Sequence, residues 1–284
     1  MTNKWKKIIF VNVIVVLFIT VGTTLIIHSQ KQDEQNNSSQ INRQNKDERN
    51  GPAEINRRNK DIPFADFNEP LPSNHAERTK REKKNKARNI ESEQPDDARR
   101  FRLTDEMESH YGTFSKHGRV EPAIPAKRSD AVIVGEVTDA KAYLSEDKVS
   151  IYSEFEVGNP EVLKNTTPES LSAEKPAVVS REGGGVRFPS GKIIYEWVLD
   201  RPMPQTGKKY IFFLNYSNET GLSIITAYEL REDQVFPLDG VIPNGSVTIQ
   251  FAGHQSFKGA SETDFLNRVK VAIENNSDVF KREE

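Results

Sequence analysis

Histidine and serine residues near the carboxyl end are the first candidates for catalysis in this chain. His254 lies in the sequence Gly253-His254-Gln255-Ser256, and Ser261 follows shortly after. A histidine can accept the proton of a nearby serine hydroxyl and so activate it as a nucleophile. The chain, however, has neither the Gly-x-Ser-x-Gly turn of serine hydrolases nor the histidine motifs of zinc hydrolases. We therefore assign no catalytic residue from the sequence.

Another candidate, for metal binding, is the pair His110 and His117. On a helix their spacing places the two side chains two turns apart, too far for one metal ion without further ligands between them. We interpret both as solvated side chains, and the sequence predicts neither a metal site nor a cofactor.

Glu154 and Glu156 share the outer face of one predicted strand, and Glu136 lies on another strand close by. Paired carboxylates can transfer protons or bind calcium when they converge in a pocket. On a solvent-facing strand they more often serve as surface charge that discourages edge pairing. We predict surface charge here, with calcium binding as the alternative.

The triplet Gly183, Gly184 and Gly185 raises the question of a phosphate-binding loop. Such a loop requires a following Gly-Lys-Ser/Thr and a helix that presents its first N–H groups, and neither follows here. We interpret the triplet as a turn. Together with Pro189-Ser190-Gly191 it is predicted to connect strands as hairpin loops do.

The chain contains no cysteine. This absence excludes thiol nucleophiles, thiolate metal sites and redox motifs. A domain outside the membrane often uses disulfides, so this one must be held together by an apolar core alone.

Charge argues against nucleic acid as a partner. Residues 129–284 carry 16 Lys or Arg against 24 Asp or Glu, a net charge of −8. Binding of single-stranded nucleic acid relies on a cationic groove that follows the phosphates. We therefore expect the aromatic residues of this region to form core and cross-strand pairs rather than base-stacking platforms. They are Tyr152, Tyr195, Trp197, Tyr216 and Tyr228.

The predicted organisation of the chain starts near the N-terminus with an uncharged run from Ile8 to Ile27, preceded by three lysines and Trp5. As a helix the run is long enough to cross a bilayer. The lysines predict a cytoplasmic N-terminus. We expect residues 1–28 to be a single-pass signal-anchor in the cell membrane, with the remainder extracytoplasmic. A cleaved signal peptide is the alternative.

Residues 29–95 are rich in Asn, Gln and charged side chains and have no apolar period, which predicts a disordered stalk. A basic cluster from Arg78 to Arg88 lies within it. We interpret the cluster as a solvated part of the linker; a salt-sensitive contact with anionic lipid, a wall polymer or the protein's own acidic head is the alternative. Residues 96–128 follow as a partly helical connector with Phe101, Leu103 and Met107, and Pro122 and Pro125 break the chain before the head.

The head, residues 129–284, is predicted to be mainly β, because its apolar residues recur with period two. The run Tyr210 to Leu214 is apolar on both faces and predicts a central strand. A helix capped by Ser261 ends the head, with Phe265, Val269 and Ile273 on its apolar face. The predicted strands are Ala131 to Lys141, Val149 to Val157, Ala177 to Arg181, Lys192 to Leu199, Lys209 to Tyr216, Leu222 to Leu230 and Val247 to Phe251.

This many strands with one packed helix favours a small closed barrel over an open sheet, since closure removes exposed edges. Three segments, Ser129 to Val137, Ser150 to Val157 and Gly207 to Leu214, resemble the OB-type barrel of netrin-like and tissue-inhibitor-of-metalloproteinases-like domains, as found in exported bacterial proteins. The resemblance implies a small OB-like antiparallel barrel with a C-terminal helix. Members that inhibit metalloproteinases use an N-terminal cysteine, so inhibition is not carried over to a chain that has none.

Two hypotheses of function follow. The first is a noncatalytic, membrane-anchored binding domain that presents a β-barrel to an envelope protein or an anionic polymer. The second is an envelope hydrolase whose site residues are scattered along the sequence. A deep cleft with His254 and carboxylates would favour the hydrolase, and a filled barrel with a shallow aromatic or acidic surface would favour the binding domain. We predict the binding domain.

Overall fold

The computed structural model describes residues 62–70, 73–75, 77–79, 81–84, 110–113, 120–145, 148, 150–198, 200–240 and 247–282. This part of the chain is mainly β, as predicted. Its strands are β1 (Phe64–Asp66), β2 (His110–Thr113), β3 (Ala131–Leu144), β4 (Ile151–Asn165), β5 (Ala177–Glu182), β6 (Gly184–Arg187), β7 (Ile193–Val198), β8 (Lys209–Ser217), β9 (Gly221–Arg231), β10 (Gln234–Pro237) and β11 (Ala260–Ser261). Its helices are α1 (Ala252–Gln255), preceded by a 3-10 turn at Ile249–Phe251, and α2 (Glu262–Glu274).

The larger sheet has the order β11-β10-β9-β5-β4-β3-β8, and β8 also pairs with β9. Five strands, β3, β4, β5, β9 and β8, therefore pair in a ring. Within the ring β5 and β9 are parallel, while the other neighbouring strands are antiparallel. Each of the five strands thus has a hydrogen-bonded neighbour on both sides, which leaves none of them as a free edge.

Apolar side chains from alternate positions of the ring strands pack together inside it, as in Ile133, Phe155, Val179 and Phe212. β8 is buried on both faces from Tyr210 to Leu214, which confirms the predicted central strand. Its even-numbered residues join the interior, while its odd-numbered residues face a second core outside the ring.

The second core lies between the ring and α2. Phe265, Val269 and Ala272 form the buried face of α2, and they pack with residues of β8, β9 and β10. The Ser261 side chain accepts a hydrogen bond from the Asp264 N–H, so the predicted helix and its cap are confirmed. Residues before the predicted start of the head also belong here, because Ala123 and Ile124 are fully buried in the same core.

A smaller sheet has the order β1-β6-β7-β2. β6 and β7 form an antiparallel hairpin, and β1 and β2 add to its two edges as parallel strands. A third apolar cluster, which includes Ala65, Ile151 and Val186, packs this sheet against the far ends of β3 and β4. The sheet therefore joins segments that are distant in the sequence.

The glycine triplet does not form the predicted hairpin turn, because β5 pairs with β4 and β9 whereas β6 pairs with β7 and β1. Gly184 and Gly185 instead let neighbouring side chains pack directly against the backbone where the chain passes between sheets. A Cβ on Gly184 would lie 2.7 Å from Ser153 Oγ, and one on Gly185 would lie 2.9 Å from Phe64 Cβ. The second predicted turn, at residues 189–191, does connect the β6–β7 hairpin.

Two further predictions are wrong in detail. Val247 to Phe251 was expected to be a strand, but Ile249–Phe251 is a 3-10 turn in which Ile249 is 84% exposed and Phe251 is buried. His110–Thr113 is a strand rather than part of a connecting helix, because hydrogen bonding to β7 outweighs local preference. The rest of the connector from 96 to 119 lies outside the described residues.

Part of the predicted stalk also belongs to the fold. Residues 64–66 form β1, and residues 77–79 and 81–84 are helical. A disordered stalk was expected here because these residues show no apolar period. They are held instead by strand pairing and by contacts of charged and aromatic side chains, which periodicity does not reveal.

The predicted membrane span, residues 1–28, lies outside the described residues. Among the residues that are described, none of the helices combines the length and apolar character needed to cross a bilayer.

Candidate functional site

His254, the first candidate for catalysis, lies in α1 and is fully buried. Its ring stacks on Tyr228 at 5.8 Å between centroids and meets the edge of Phe251 at 5.0 Å. Among the described residues, neither imidazole nitrogen has a partner that meets hydrogen-bond geometry. The pKa of His254 is lowered to about 4, mainly by burial; Asp239 acts in the opposite direction, and Arg201 also lowers the pKa. At neutral pH this histidine is therefore an uncharged, packed side chain.

The two serines near His254 have structural partners. Ser256 Oγ donates to the Gly253 carbonyl at 2.7 Å and accepts from the Arg282 N–H at 2.7 Å. Ser261 caps α2. Since neither serine hydroxyl is hydrogen-bonded to His254, these residues do not form an activated nucleophile.

A buried ion pair that the sequence analysis missed lies beside His254. The Arg181 guanidinium donates to Asp239 through two bonds, Nη1 to Oδ1 at 2.7 Å and Nη2 to Oδ2 at 3.1 Å. Arg181 Nη1 also donates to the Pro202 carbonyl at 2.6 Å. The Arg181 side chain is 4% exposed and that of Asp239 is completely buried. Arg181 shares a strand face with Ala177 and Val179, and that placement was the available signal for an inward-facing charge.

Asp200 extends this buried charge cluster, which we define as Arg181, Asp200, Asp239 and His254. The Gln250 side-chain amide donates to the Asp200 carboxylate, and the Gly240 N–H donates to the Asp200 carbonyl at 2.8 Å. Both Asp200 and Asp239 have no exposed surface. The cluster therefore links the chain around residues 200, 239 and 250 to the ring.

The carboxylates of the predicted outer strand face do not converge. Glu136 and Glu156 are exposed, and the residue opposite Glu136 is Gly158. Glu154 forms an ion pair with Lys84, a residue of the predicted stalk. Within the described ranges, no group of three or more His, Asp and Glu is arranged to hold a metal ion.

The predicted aromatic residues are dispersed. Tyr228 is buried and donates to the Ala123 carbonyl at 2.6 Å; burial and then Asp239 raise its pKa well above the usual value. Tyr195 lies in β7, where burial raises its pKa despite Arg187. Tyr216 is near the end of β8, and Trp197 is in β7. Tyr152 is 2% exposed and stacks on Tyr143 at 5.3 Å.

Tyr143, Tyr152 and Glu154 lie on one face of the β3–β4 hairpin, and we call this set the tyrosine–glutamate surface. Tyr143 and Glu154 are partly exposed, whereas Tyr152 is buried. Two cations of residues 81–84 lie on it. The Arg81 guanidinium is 4.4 Å from the centre of the Tyr143 ring, and the Lys84 ammonium contacts the Glu154 carboxylate. Burial and Glu154 raise the pKa of the Tyr143 hydroxyl, while Lys141 and Arg81 lower it.

Further cation–aromatic contacts hold residues 64–69 to the same end of the molecule. The Lys148 ammonium lies 3.8 Å from the centre of the Phe67 ring, and the Arg187 guanidinium lies 3.9 Å from that of Phe64. Glu69 binds Lys141 at 3.0 Å. The chemistry available at this surface is therefore recognition of cations by carboxylates and aromatic rings.

Two other features offer less. His110 lies in β2 opposite Tyr195, and His117 lies outside the described residues, so the predicted interpretation of this pair is not tested. A shallow depression of about 170 Å³ lies beside α2, between Phe257, Asp264, Arg268 and Arg282. Its lining does not include His254.

Comparison with protein-family models and with curated proteins gave no match for this chain.

Proposed function

We propose that this chain is a membrane-anchored extracytoplasmic protein whose mainly β head is a noncatalytic binding domain. The observation that carries the proposal is the contrast between the groups able to do chemistry and those able to bind. His254, Arg181 and Asp239 are enclosed in the fold. Tyr143 and Glu154 of the tyrosine–glutamate surface, in contrast, are partly exposed and already contact two cations.

The ring of five strands supports a finer proposal, that the head is an OB-type barrel of the netrin-like kind. An OB barrel has five strands, and its ligands commonly bind on the face of strands 2 and 3 and on the loop between strands 1 and 2. In this chain those positions correspond to β4, β5 and the connection from β3 to β4. Tyr152 and Glu154 of the tyrosine–glutamate surface lie on that strand face.

The proposed location rests on the uncharged run from Ile8 to Ile27 with its preceding lysines. We propose an envelope protein as the partner, rather than an anionic polymer. The head carries a net charge of −8, and two cations of the basic cluster are engaged by the head itself. An acidic surface attracts a partner of positive potential and repels polyanions.

The proposal is tested with the full chain, solubilised in detergent and used as bait on envelope extracts. We expect one partner, retained at low salt and released by about 0.5 M salt, because the contact is electrostatic. The control bait is Asp239→Ala, which is expected to be strongly destabilised and to retain less of the partner. The enzyme alternative has its own readout: hydrolysis of envelope peptides, esters or glycans by the wild-type chain, abolished by His254→Phe, would overturn the noncatalytic assignment.

A further inference from the structure

Lys84 is buried although the stretch around it contains few apolar side chains. It is 7% exposed, although lysine is rarely buried unless its ammonium group has a partner. Its partner is Glu154, whose side chain is 18% exposed. A solvated linker would leave this lysine in water, so the contact is a specific one.

Arg81 lies three residues before Lys84, on the same face of the helical turn. Its guanidinium lies over the Tyr143 ring and reaches Glu69 at 3.9 Å. Two cations at this spacing therefore meet two acceptors at matching positions on the head: an aromatic face for the guanidinium and a carboxylate for the ammonium.

The forces that hold this segment are almost entirely polar. Among the described residues of 73–84, Lys84 is the only buried one, and Glu77, Arg78, Glu82 and Lys83 are exposed. A segment that buries no apolar side chain gains little from the hydrophobic effect. Its docking depends on ion pairing and cation–π contact, both of which another cationic segment could supply equally well.

We propose that the tyrosine–glutamate surface is a docking site for a cationic helical segment of a partner protein, which this chain occupies with its own Arg81 and Lys84 in the absence of that partner. The recognition element is an Arg and a Lys three residues apart on one helix face. Charge complementarity between the acidic head and a basic segment selects this class of partner. The inference rests on the proposed binding function and names the chemistry of its ligand.

The test uses the full chain in detergent micelles and a fluorescein-labelled peptide with the sequence of residues 73–90 as the probe. In the wild-type chain, the internal segment competes with the peptide, so binding is weak. The double variant Arg81→Gln/Lys84→Gln vacates the surface, and we expect the peptide to bind about tenfold more tightly by fluorescence anisotropy. Adding Glu154→Gln to that variant should remove the gain.

Matched controls separate this site from general charge attraction. Lys258→Gln/Lys270→Gln removes the same charge from exposed positions remote from the surface, and Glu174→Gln matches Glu154→Gln. A peptide with both cationic positions changed to Gln should bind no variant tightly. If the double variant has a lowered thermal midpoint, the single Lys84→Gln variant gives the same comparison in a less perturbed fold.

Equal peptide binding by the vacated variant and its Lys258/Lys270 control would overturn the proposal, as would retention of tight binding after Glu154→Gln. Concentration-dependent dimers of the wild-type chain that disappear in Arg81→Gln/Lys84→Gln would assign the surface to a second copy and also overturn it. The proposed binding function has a separate readout, since a partner recovered from envelope extracts by a chain that fails the peptide test would place the interface elsewhere.

Discussion

Two ion pairs in this molecule each join a basic and an acidic side chain, but one lies in the interior and the other at the periphery. Arg181, in the ring strand β5, and Asp239, which follows β10, meet inside the fold, with side chains 4% and 0% exposed. Lys84 and Glu154 meet at its periphery, with side chains 9% and 18% exposed, and one partner comes from a segment with little other burial. We interpret the first pair as part of the architecture, and we expect the second to be a contact that the chain can release without unfolding.

The two pairs differ in whether water can solvate the charges once the ion pair is broken. Opening the inner pair leaves a charge in a low-dielectric interior, where no water can solvate it. Opening the outer pair exposes both charges to water at small cost. We therefore expect the Arg181–Asp239 pair to stabilise the fold and the Lys84–Glu154 pair, which attaches a segment at the periphery, to serve recognition.

The largest effect should come from the inner pair. Asp239→Ala leaves the Arg181 guanidinium buried beside only the Pro202 carbonyl, and we expect it to lower the free energy of unfolding by about 3–5 kcal/mol. Urea unfolding of the full chain in detergent, followed by circular dichroism, measures this. A loss below about 1 kcal/mol would mean that the pair is not the structural anchor described here.

The pH dependence of stability should come next. The pKa of His254 is about 4 in the folded chain against 6.5 in the unfolded chain, so the unfolded state binds a proton first as pH falls. The stabilisation is complete above pH 6.5 and declines toward pH 4, by about 3 kcal/mol. His254→Phe keeps a ring on Tyr228 and removes this titration. Unfolding of both chains at pH 7.5 and pH 4 should therefore show a smaller drop for the variant; parallel drops would contradict the assignment.

The outer pair should give a smaller, local effect. Glu154→Gln removes the charge that Lys84 contacts but retains every lysine and arginine of the segment. We expect trypsin to cleave within residues 77–90 about fivefold faster, which corresponds to roughly 1 kcal/mol of local stability. Glu174→Gln is the control. Unchanged cleavage would show that the ion pair does not hold the segment.

The smallest effect should come from an ion pair that is neither enclosed nor attached to a separable segment. Glu229 pairs with Lys208 at 3.3 Å and Arg231 at 3.8 Å, and both cations are more than a third exposed. We expect Glu229→Gln to change the free energy of unfolding by less than about 0.5 kcal/mol. A larger loss of unfolding free energy in the same urea experiment would contradict the expectation that enclosed ion pairs stabilise the fold more than surface ion pairs do.

Much of the ring could be predicted from the sequence because its strands bury one face or both. The apolar alternation of β3, β4 and β9 and the continuous apolar run of β8 each reflect burial in the two cores. The capped helix α2 was predicted for the same reason. The strand predicted from Val247 to Phe251 is wrong, because three alternating apolar residues are also compatible with a turn. Here the Ile249 side chain is exposed to solvent.

The contacts that define the candidate site could not be predicted in this way. Lys84 and Glu154 are 70 residues apart, and Arg181 and Asp239 are 58 apart, so neither pair leaves a local pattern. β1 and β2 are too short to show a period, and they exist because the β6–β7 hairpin offers them edges. The sequence did provide one hint, the opposite charges of the basic cluster and the acidic head.

Hydrogen exchange on the full chain, comparing wild type with Lys84→Gln by mass spectrometry, tests the central claim most directly. If the outer contact is releasable while the ring is not, amides of residues 73–84 exchange at least about fivefold faster in the variant, while those of β8 keep their wild-type rates. Faster exchange in β8 to the same degree, or no change in residues 73–84, would contradict the distinction between a structural interior and a separable, cation-binding surface.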